Sequence, residues 1–308
     1  MSLIEDIRLG VRNPALLGRK FNQVFNRSRT RRTFNPGGID IFAQSWDSLI
    51  ILDACRFDLF ESICNIPGEL SAVESRGAAT AEWLAGNCMD RDLWDVVYVT
   101  ANPMLYRKQS EINVEFHDVL NIWNSDAWDD DLGTVPPDAV TERAMEAAEM
   151  YPDKRLLVHF VQPHYPFLGS TREFDKGHMD PDRQSGLTTW MQVMTGRVDA
   201  TRDELWELYE HNLSQVLPAV EKLTETFDGK TVISSDHGNM FGERADPIPI
   251  REWGHPPGIY TDELVTVPWL EVESEGERRE VTSEPPVKDS AKTSQSATER
   301  LEDLGYLS

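Results

Sequence analysis

The sequence predicts an α/β fold with a central, mostly parallel β-sheet. Short apolar runs such as residues 49–52 are continuous enough to be buried on both faces, as strands of a parallel sheet are. Stretches with helical periodicity separate these runs. The runs at 46–53, 155–161 and 231–233 end abruptly in polar residues, and the C-terminal ends of strands are where open α/β sheets bind ligands.

Composition limits the possible functions. The chain has 308 residues, of which 40% are hydrophobic, enough for one large domain with appendages. It carries 53 acidic and 30 basic residues, a formal charge of -23. Salt must screen the resulting self-repulsion, so we expect a halophilic protein from a salt-rich cytoplasm. The charge also argues against nonspecific binding of nucleic acid, which needs a basic face.

Cysteine usage and the N-terminus point to the same compartment. Cys55, Cys64 and Cys88 cannot all pair within the chain and have no CxxC spacing, which argues against a disulfide framework or a thiolate zinc site. An acidic pair interrupts the first ten residues, where a signal peptide needs an apolar segment. No window of about 18 apolar residues occurs. We therefore expect a cytoplasmic protein without a transmembrane segment.

The first 40 residues differ from the rest because they are basic. Eight cations face three acids there, and we expect residues 1–40 to form a basic arm before a catalytic domain at 41–272. The arm could pack as a strap on its own acidic domain, or bind an acidic partner or an anionic membrane surface. Residues 273–308 read as an acidic linker with a short C-terminal helix.

The first strong strand covers residues 46–53 and ends in Asp53. A helix follows to about residue 64, before Pro67 and Gly68. Asp53 is either a cap for that helix or a ligand at the strand end. After a run of small residues, Thr80 precedes a second helical pattern. Its hydroxyl is either a plain N-cap or a nucleophile, because a helix N-terminus favours an alkoxide and an anionic substrate.

Further strands are expected at 95–100 and 155–161, with a helix that starts at Pro136-Pro137 and runs through Met150. The strand at 155–161 leads into a proline-rich loop that contains His164, which either touches a ligand or packs in the loop. Residues 169–196 show little periodicity and suggest a covering loop or lid.

The central motif follows a helix at about 203–227. A strand at 231–233 turns polar, which places Asp236 and His237 at its C-terminal end, outside the core. A carboxylate and an imidazole there could converge on one divalent cation, or they could be ordinary turn residues. His255 lies 18 residues after His237 and precedes a final strand at 266–270.

Together these motifs resemble the sulfatase-like branch of the alkaline phosphatase superfamily. The resemblance rests on the Asp that closes the first strand, a hydroxyl at a helix start, the PHYPF loop, SDHG and a later GH before a VP strand. It covers roughly residues 45–272. It implies a three-layer α/β/α sandwich with a metal site at the C-terminal edge of the sheet.

By this resemblance, Asp53, Thr80, Asp236 and His237 would ligate one divalent metal ion, with Thr80 also the nucleophile. Zn or Mn is expected, with Mg or Ca as alternatives. His164 and His255 would hold substrate oxygens, protonate the leaving group or form part of a second metal site. The upstream Asp-x-x-x-His pair of two-metal phosphatases is missing, which argues against a complete second site.

The departures from the family decide the expected chemistry. No cysteine has the C-x-P-x-R setting of the sulfatase nucleophile, and Asp236-His237 stands where sulfatases have Asp-Asn. We therefore expect a hydrolase of phosphate mono- or diesters, or phosphonates, that forms a phospho-threonine and acts on an anionic small-molecule or glycan ester. The alternatives are a sulfate-ester hydrolase, a transferase of a phosphoryl-linked group to a glycan or lipid, or a non-catalytic binder. The sequence does not indicate an oligomeric state.

Overall fold

The computed structural model describes residues 13–170, 188–274, 276 and 280–286. Within them lies a seven-stranded sheet in the order β2-β9-β6-β1-β5-β3-β4. These strands are β1 (Ser48–Asp53), β2 (Glu69–Glu74), β3 (Asp92–Thr100), β4 (Glu115–Asn121), β5 (Arg155–Pro163), β6 (Lys230–Ser234) and β9 (Thr266–Glu273). Only β9 runs antiparallel to its neighbours β2 and β6, which confirms the mostly parallel sheet.

Eight α-helices accompany the sheet in the described residues. They are α1 (Pro14–Thr30), α2 (Phe57–Ile63), α3 (Thr80–Cys88), α4 (Met104–Ile112), α5 (Pro137–Met150), α6 (Thr189–Met194), α7 (Arg202–Thr226) and α8 (Asp262–Val265). A separate hairpin pairs β7 (Met240–Arg244) with β8 (Arg251–Gly254).

Alternation along the strands produces three layers. Ile50 and Leu52 of β1 face one apolar core, to which α2, α5 and α7 contribute. Leu49 and Ile51 face the opposite core, to which α3 and α4 contribute. All four side chains are fully buried, because a central parallel strand has helices on both faces. The three-layer α/β/α sandwich is therefore confirmed.

Several expectations lie partly or wholly outside the described residues. Only the ends of the expected covering loop at 169–196 are described, and they include the short helix α6. Trp190 of this helix packs against Phe241 with ring centroids 5.5 Å apart. The C-terminal helix expected at 298–307 lies outside the described residues. The division into arm, catalytic domain and linker stays a prediction.

Candidate metal centre

The candidate site lies where the two central strands end. β1 and β6 are parallel neighbours, paired from Ser48 with Thr231 to Ile51 with Ser234. Asp53 is the last residue of β1, and Asp236 and His237 come one residue after the end of β6. Because parallel strands end at the same edge of a sheet, these three side chains meet there. All three are fully buried, so the expectation that the strand-end position places Asp236 and His237 outside the core is wrong.

Hydrogen bonds fix the Asp236 carboxylate. Its Oδ1 accepts the backbone N–H of Ala54 at 3.0 Å and that of His237 at 2.9 Å. Burial alone would raise the pKa of Asp236, but the pKa is lowered, because a positive charge on His237 or His159 and the N–H of Ala54 each favour the ionised carboxylate. Asp236 is thus an ionised, oriented carboxylate that joins the ends of the two strands.

The turn after His237 requires glycine. The N–H of Gly238 donates to the carbonyl of Leu264 at 2.8 Å. A Cβ at this position would lie 2.1 Å from the carbonyl oxygen of Glu263, closer than any real contact. The glycine therefore allows the backbone to approach α8 and holds the His237 ring in place.

Thr80 approaches the cluster from the other side. The N-cap of α3 is Ala79, and Thr80 is the first helical residue. Its hydroxyl points at the histidine, with Oγ1 3.3 Å from His237 Nε2. The N-cap interpretation of Thr80 is therefore not realised. The helix-cap interpretation of Asp53 is not realised either, because α2 begins at Phe57 with Arg56 as its N-cap.

The tautomer of His237 follows from its contacts. Nδ1 lies 2.8 Å from the carbonyl oxygen of Gly238, and a carbonyl can only accept, so Nδ1 carries the proton. In the neutral ring Nε2 then has a lone pair. This lone pair faces Asp236 Oδ2 at 3.3 Å and Asp53 Oδ1 at 3.6 Å. Three electron-rich atoms and the Thr80 hydroxyl thus converge in a space closed to solvent.

These residues fit a divalent cation. Two carboxylates and an imidazole buried together are costly away from water unless positive charge balances the carboxylates. One divalent cation balances them, whereas a proton on Nε2 would balance only half. Carboxylate oxygens combined with an imidazole nitrogen suit Zn or Mn better than Mg or Ca, which prefer all-oxygen sites.

The structure adds Asn102, which the sequence analysis does not single out. It follows β3, and its side-chain Nδ2 donates to Asp53 Oδ2 at 2.5 Å. Its own Oδ1 accepts the N–H of Met104 at 2.7 Å, which fixes the amide orientation. Asn102 therefore orients Asp53, as outer partners of metal ligands do. Its position at a strand end was the available signal.

His159 was also missed, because it lies inside the apolar run of β5. Its Nδ1 pairs with the hydroxyl of Tyr98 at 2.7 Å, and its Nε2 lies 3.9 Å from Asp236 Oδ2. Ligand atoms of Asp53, His159 and Asp236 lie within 4.8 Å of one another. Burial lowers the pKa of His159 to about 4, so the ring is neutral at pH 7. A polar residue in a buried strand was the available signal.

We expect His159 to contribute to cation affinity through Nε2. His159→Asn keeps a polar atom near the Nδ1 position for Tyr98 and removes Nε2, so it should weaken cation binding about 10- to 100-fold. His159→Gln retains a polar atom near Nε2 and should lose less. Chelator competition measures both affinities, and Tyr98→Phe is the control that removes only the Nδ1 partner. If His159→Asn and Tyr98→Phe lose the same amount of cation affinity, His159 has only a packing role.

A pair of histidines stands beside the cluster. His164 Nδ1 donates to the carbonyl of Tyr165 at 2.5 Å, and its Nε2 lies 2.9 Å from His255 Nε2. The His255 ring in turn stacks on His237 with centroids 4.6 Å apart. Burial lowers the pKa of His164 to about 4 and that of His255 well below its usual value, so both rings are neutral at pH 7. The structure thus brings together all six side chains singled out in the sequence.

Comparisons with known proteins concern architecture. No protein-family model and no curated protein sequence matches the chain. Among solved structures, it is similar to the integral membrane lipooligosaccharide phosphoethanolamine transferase A from Neisseria meningitidis, with 14% identity, TM-score 0.48 and coverage of 76% of this chain and 49% of that one. The chain thus spans about half the length of that transferase.

Two further solved structures are similar to the chain at comparably low identity. The C-terminal periplasmic domain of EcEptC from Escherichia coli, a complex with Zn, has 15% identity, TM-score 0.43 and coverage of 78% of this chain and 77% of that one. A 2-O GAG sulfatase has 12% identity, TM-score 0.46 and coverage of 79% and 66%. This likeness is one of fold alone. The assignment to the sulfatase-like branch of the alkaline phosphatase superfamily rests on the sequence motifs and belongs to the proposal below.

Within the described part of the chain, no helix has both the length and the apolar character needed to cross a bilayer. The expected cytoplasmic location and halophilic character stay predictions.

Proposed function

We propose that the protein is a metal-dependent hydrolase of phosphate mono- or diesters, or phosphonates, that works through a phosphorylated Thr80. The observation that carries this proposal is the convergence of the Thr80 hydroxyl with the His237 lone pair and the carboxylates of Asp53 and Asp236, all buried. This arrangement is unfavourable without a cation and suited to catalysis with one.

The four residues divide the work as follows. Asp53, Asp236 and His237 would hold the cation, which when bound lowers the pKa of the adjacent hydroxyl and shields negative charge. Thr80 Oγ1 gives up its proton and attacks phosphorus as the ester P–O bond breaks, and the leaving alkoxide takes up one proton in exchange. Water then cleaves phospho-Thr80, which restores the hydroxyl and releases phosphate from a monoester or a phosphate monoester from a diester. The N-terminus of α3 at Thr80 favours the anionic phosphoryl group.

His164 and His255 would bind the substrate. Because His164 donates its Nδ1 proton to Tyr165, its Nε2 accepts the Nε2–H of His255. The pair can turn that N–H to an ester oxygen, or bind a second cation once the proton moves to His255 Nδ1. His255 Nδ1 is buried and has no hydrogen-bond partner among the described residues. That atom can accept a hydrogen bond from a water molecule or from a substrate hydroxyl.

The state of the cysteines favours phosphate over sulfate. Cys55 and Cys88 are fully buried, and burial raises their pKa. The residue whose side chain reaches the cluster from a helix start is a threonine, not a cysteine. Its oxygen can form a phosphoester in one step without prior maturation.

A substrate panel tests the proposal. The chelator-treated protein is assayed in molar KCl with para-nitrophenyl phosphate, bis-para-nitrophenyl phosphate and para-nitrophenyl sulfate, with and without added Mn²⁺ or Zn²⁺. We expect metal-dependent turnover of a phosphate ester and at most trace turnover of the sulfate. Faster sulfate turnover would contradict the proposal. Product analysis with an added alcohol separates hydrolysis from transfer, since a transferase would yield the new ester.

A further inference from the structure

Helix α1 exposes an apolar face. Leu17, Phe21, Val24 and Phe25 are 49%, 54%, 58% and 39% exposed. The spacing of four, three and one residues places them on one side of the helix, and the Phe21 and Phe25 rings stack with centroids 6.4 Å apart. Of the other exposed large apolar residues in the described chain, Ile248 adjoins α1, and Met89, Met150 and Val281 lie in other parts of the chain.

Cations border this face on both sides. At 100° per residue, Lys20 and Arg27 fall on one edge of the apolar stripe and Arg29 on the other. Arg31 and Arg32 follow at the C-terminal end, and all five cations are exposed. The helix contains no acidic residue, although the whole chain carries a formal charge of -23. None of the five forms an ion pair within the described residues.

The opposite face of α1 is fastened to the domain. Its polar side chains bond to the backbone of residues 248–258. The contacts are Asn22 with both N–H and C=O of Ile248 at 2.9 Å, Gln23 with Pro257 O at 2.9 Å and Asn26 with Gly258 O at 2.9 Å. Arg19 forms an ion pair with Glu252, whose side chain is fully buried. The helix therefore cannot turn its apolar side inward without losing these bonds.

We propose that the exposed face of α1, defined by Leu17, Phe21, Val24 and Phe25, binds the surface of an anionic lipid bilayer. An apolar stripe bordered by cations matches such a surface, because the stripe enters the acyl boundary and the cations meet the headgroups. A nucleic acid would match the cations but not the stripe. A second copy through the same face would oppose like charges. This proposal does not depend on the proposed catalytic function.

Docking would also orient the domain. The segment at 248–258 that holds the inner side of α1 contains His255. Docking through α1 would therefore turn the side of the domain that carries this segment toward the membrane.

Vesicle co-sedimentation of the full chain tests the proposal, with phosphatidylglycerol and phosphatidylcholine vesicles compared at moderate and molar KCl. We expect the protein to bind phosphatidylglycerol vesicles, and to bind phosphatidylcholine vesicles at least about 10-fold more weakly. The double variant Phe21→Gln with Val24→Gln should bind phosphatidylglycerol vesicles at least about 10-fold more weakly than the wild type, at both KCl concentrations. The triple variant Lys20→Gln, Arg27→Gln and Arg29→Gln should lose about 10- to 100-fold at moderate salt, and much less at molar salt, where charges are screened.

Matched controls alter the same chemistry elsewhere. Met150→Gln removes a side chain that is 64% exposed on α5. The triple variant Lys108→Gln, Arg143→Gln and Lys222→Gln removes three cations from α4, α5 and α7. Both controls should bind vesicles like the wild type.

Three results would overturn the proposal. The first is the absence of vesicle binding by the wild type, and the second is equal loss in the α1 variants and the controls. The third is a dimer in size-exclusion chromatography that the Phe21 and Val24 variant dissociates, which would assign the face to a second copy. If the first result is accompanied by saturable binding to an acidic protein, the apolar face of α1 would be assigned to a protein partner.

Discussion

Replacement of Thr80 by alanine is expected to lower turnover by about three orders of magnitude or more, because the attacking oxygen is removed. Stability should change little. The N-cap role belongs to Ala79, and no cap hydrogen bond from a side chain is lost; alanine is also a good helix former. Steady-state kinetics and thermal melting of the same preparation measure both effects.

Two further variants separate nucleophile from scaffold. Thr80→Ser keeps an attacking oxygen and should retain measurable activity. Thr141→Ala removes an equally buried threonine hydroxyl, bonded to the carbonyls of Pro137 and Ala219 on α5 and α7. The Thr141→Ala variant should be less stable than the wild type and should keep wild-type turnover. Near wild-type turnover by Thr80→Ala would place the nucleophile elsewhere.

Removal of either ligand after β6 is expected to abolish cation binding. Asp236→Asn keeps an oxygen acceptor for Ala54 and the His237 N–H while it removes the charge. His237→Asn keeps a donor for the Gly238 carbonyl while it removes Nε2. Both should lose more affinity than the roughly 10- to 100-fold caused by loss of an outer partner. Metal content after dialysis measures the loss.

Thermal stability gives an independent readout of this loss. The cation neutralises two buried carboxylates, so its addition should raise the melting temperature of the wild type and leave that of Asp236→Asn unchanged. Asp47→Asn is the matched control, because Asp47 is a buried carboxylate just before the opposite end of β1. It should respond to metal like the wild type. Full metal occupancy in both ligand variants would exclude this site.

Alanine variants of Asp236 and His237 are less informative than these isosteric variants, because both side chains are buried and not outside the core. Truncation of Asp236 would leave the buried N–H of Ala54 without its acceptor, at a cost of about 1–3 kcal/mol. A loss of metal could then reflect local unfolding. The isosteric variants avoid this ambiguity.

The sequence allowed prediction of the central strands because physics marks them strongly. β1, β5 and β6 are buried on both faces and therefore appear as continuous apolar runs. The edge strand β2 was missed, since four of its six residues are exposed and its sequence has no such run. β4 was missed for the same reason, with one fully buried residue in seven.

The site could be predicted where its residues lie at the ends of strands, as Asp53, Asp236 and His237 do. Contacts across the fold carry no local signal. The pairing of Asn102 with Asp53 joins residues 49 positions apart, and that of Thr80 with His237 joins residues 157 apart. His159 was hidden by its apolar neighbours in β5. Such partners require the register and packing of the whole sheet.

The most direct test of the central claim is mass spectrometry of acid-quenched enzyme. Metal-loaded protein is mixed with its best phosphate ester, quenched within one turnover and digested, and the peptide that contains Thr80 is sequenced. We expect a phosphate on Thr80 that appears with substrate and metal and is absent from Thr80→Ala and Asp236→Asn. Substrate turnover without a phosphorylated peptide, or phosphate on another residue, would contradict the account.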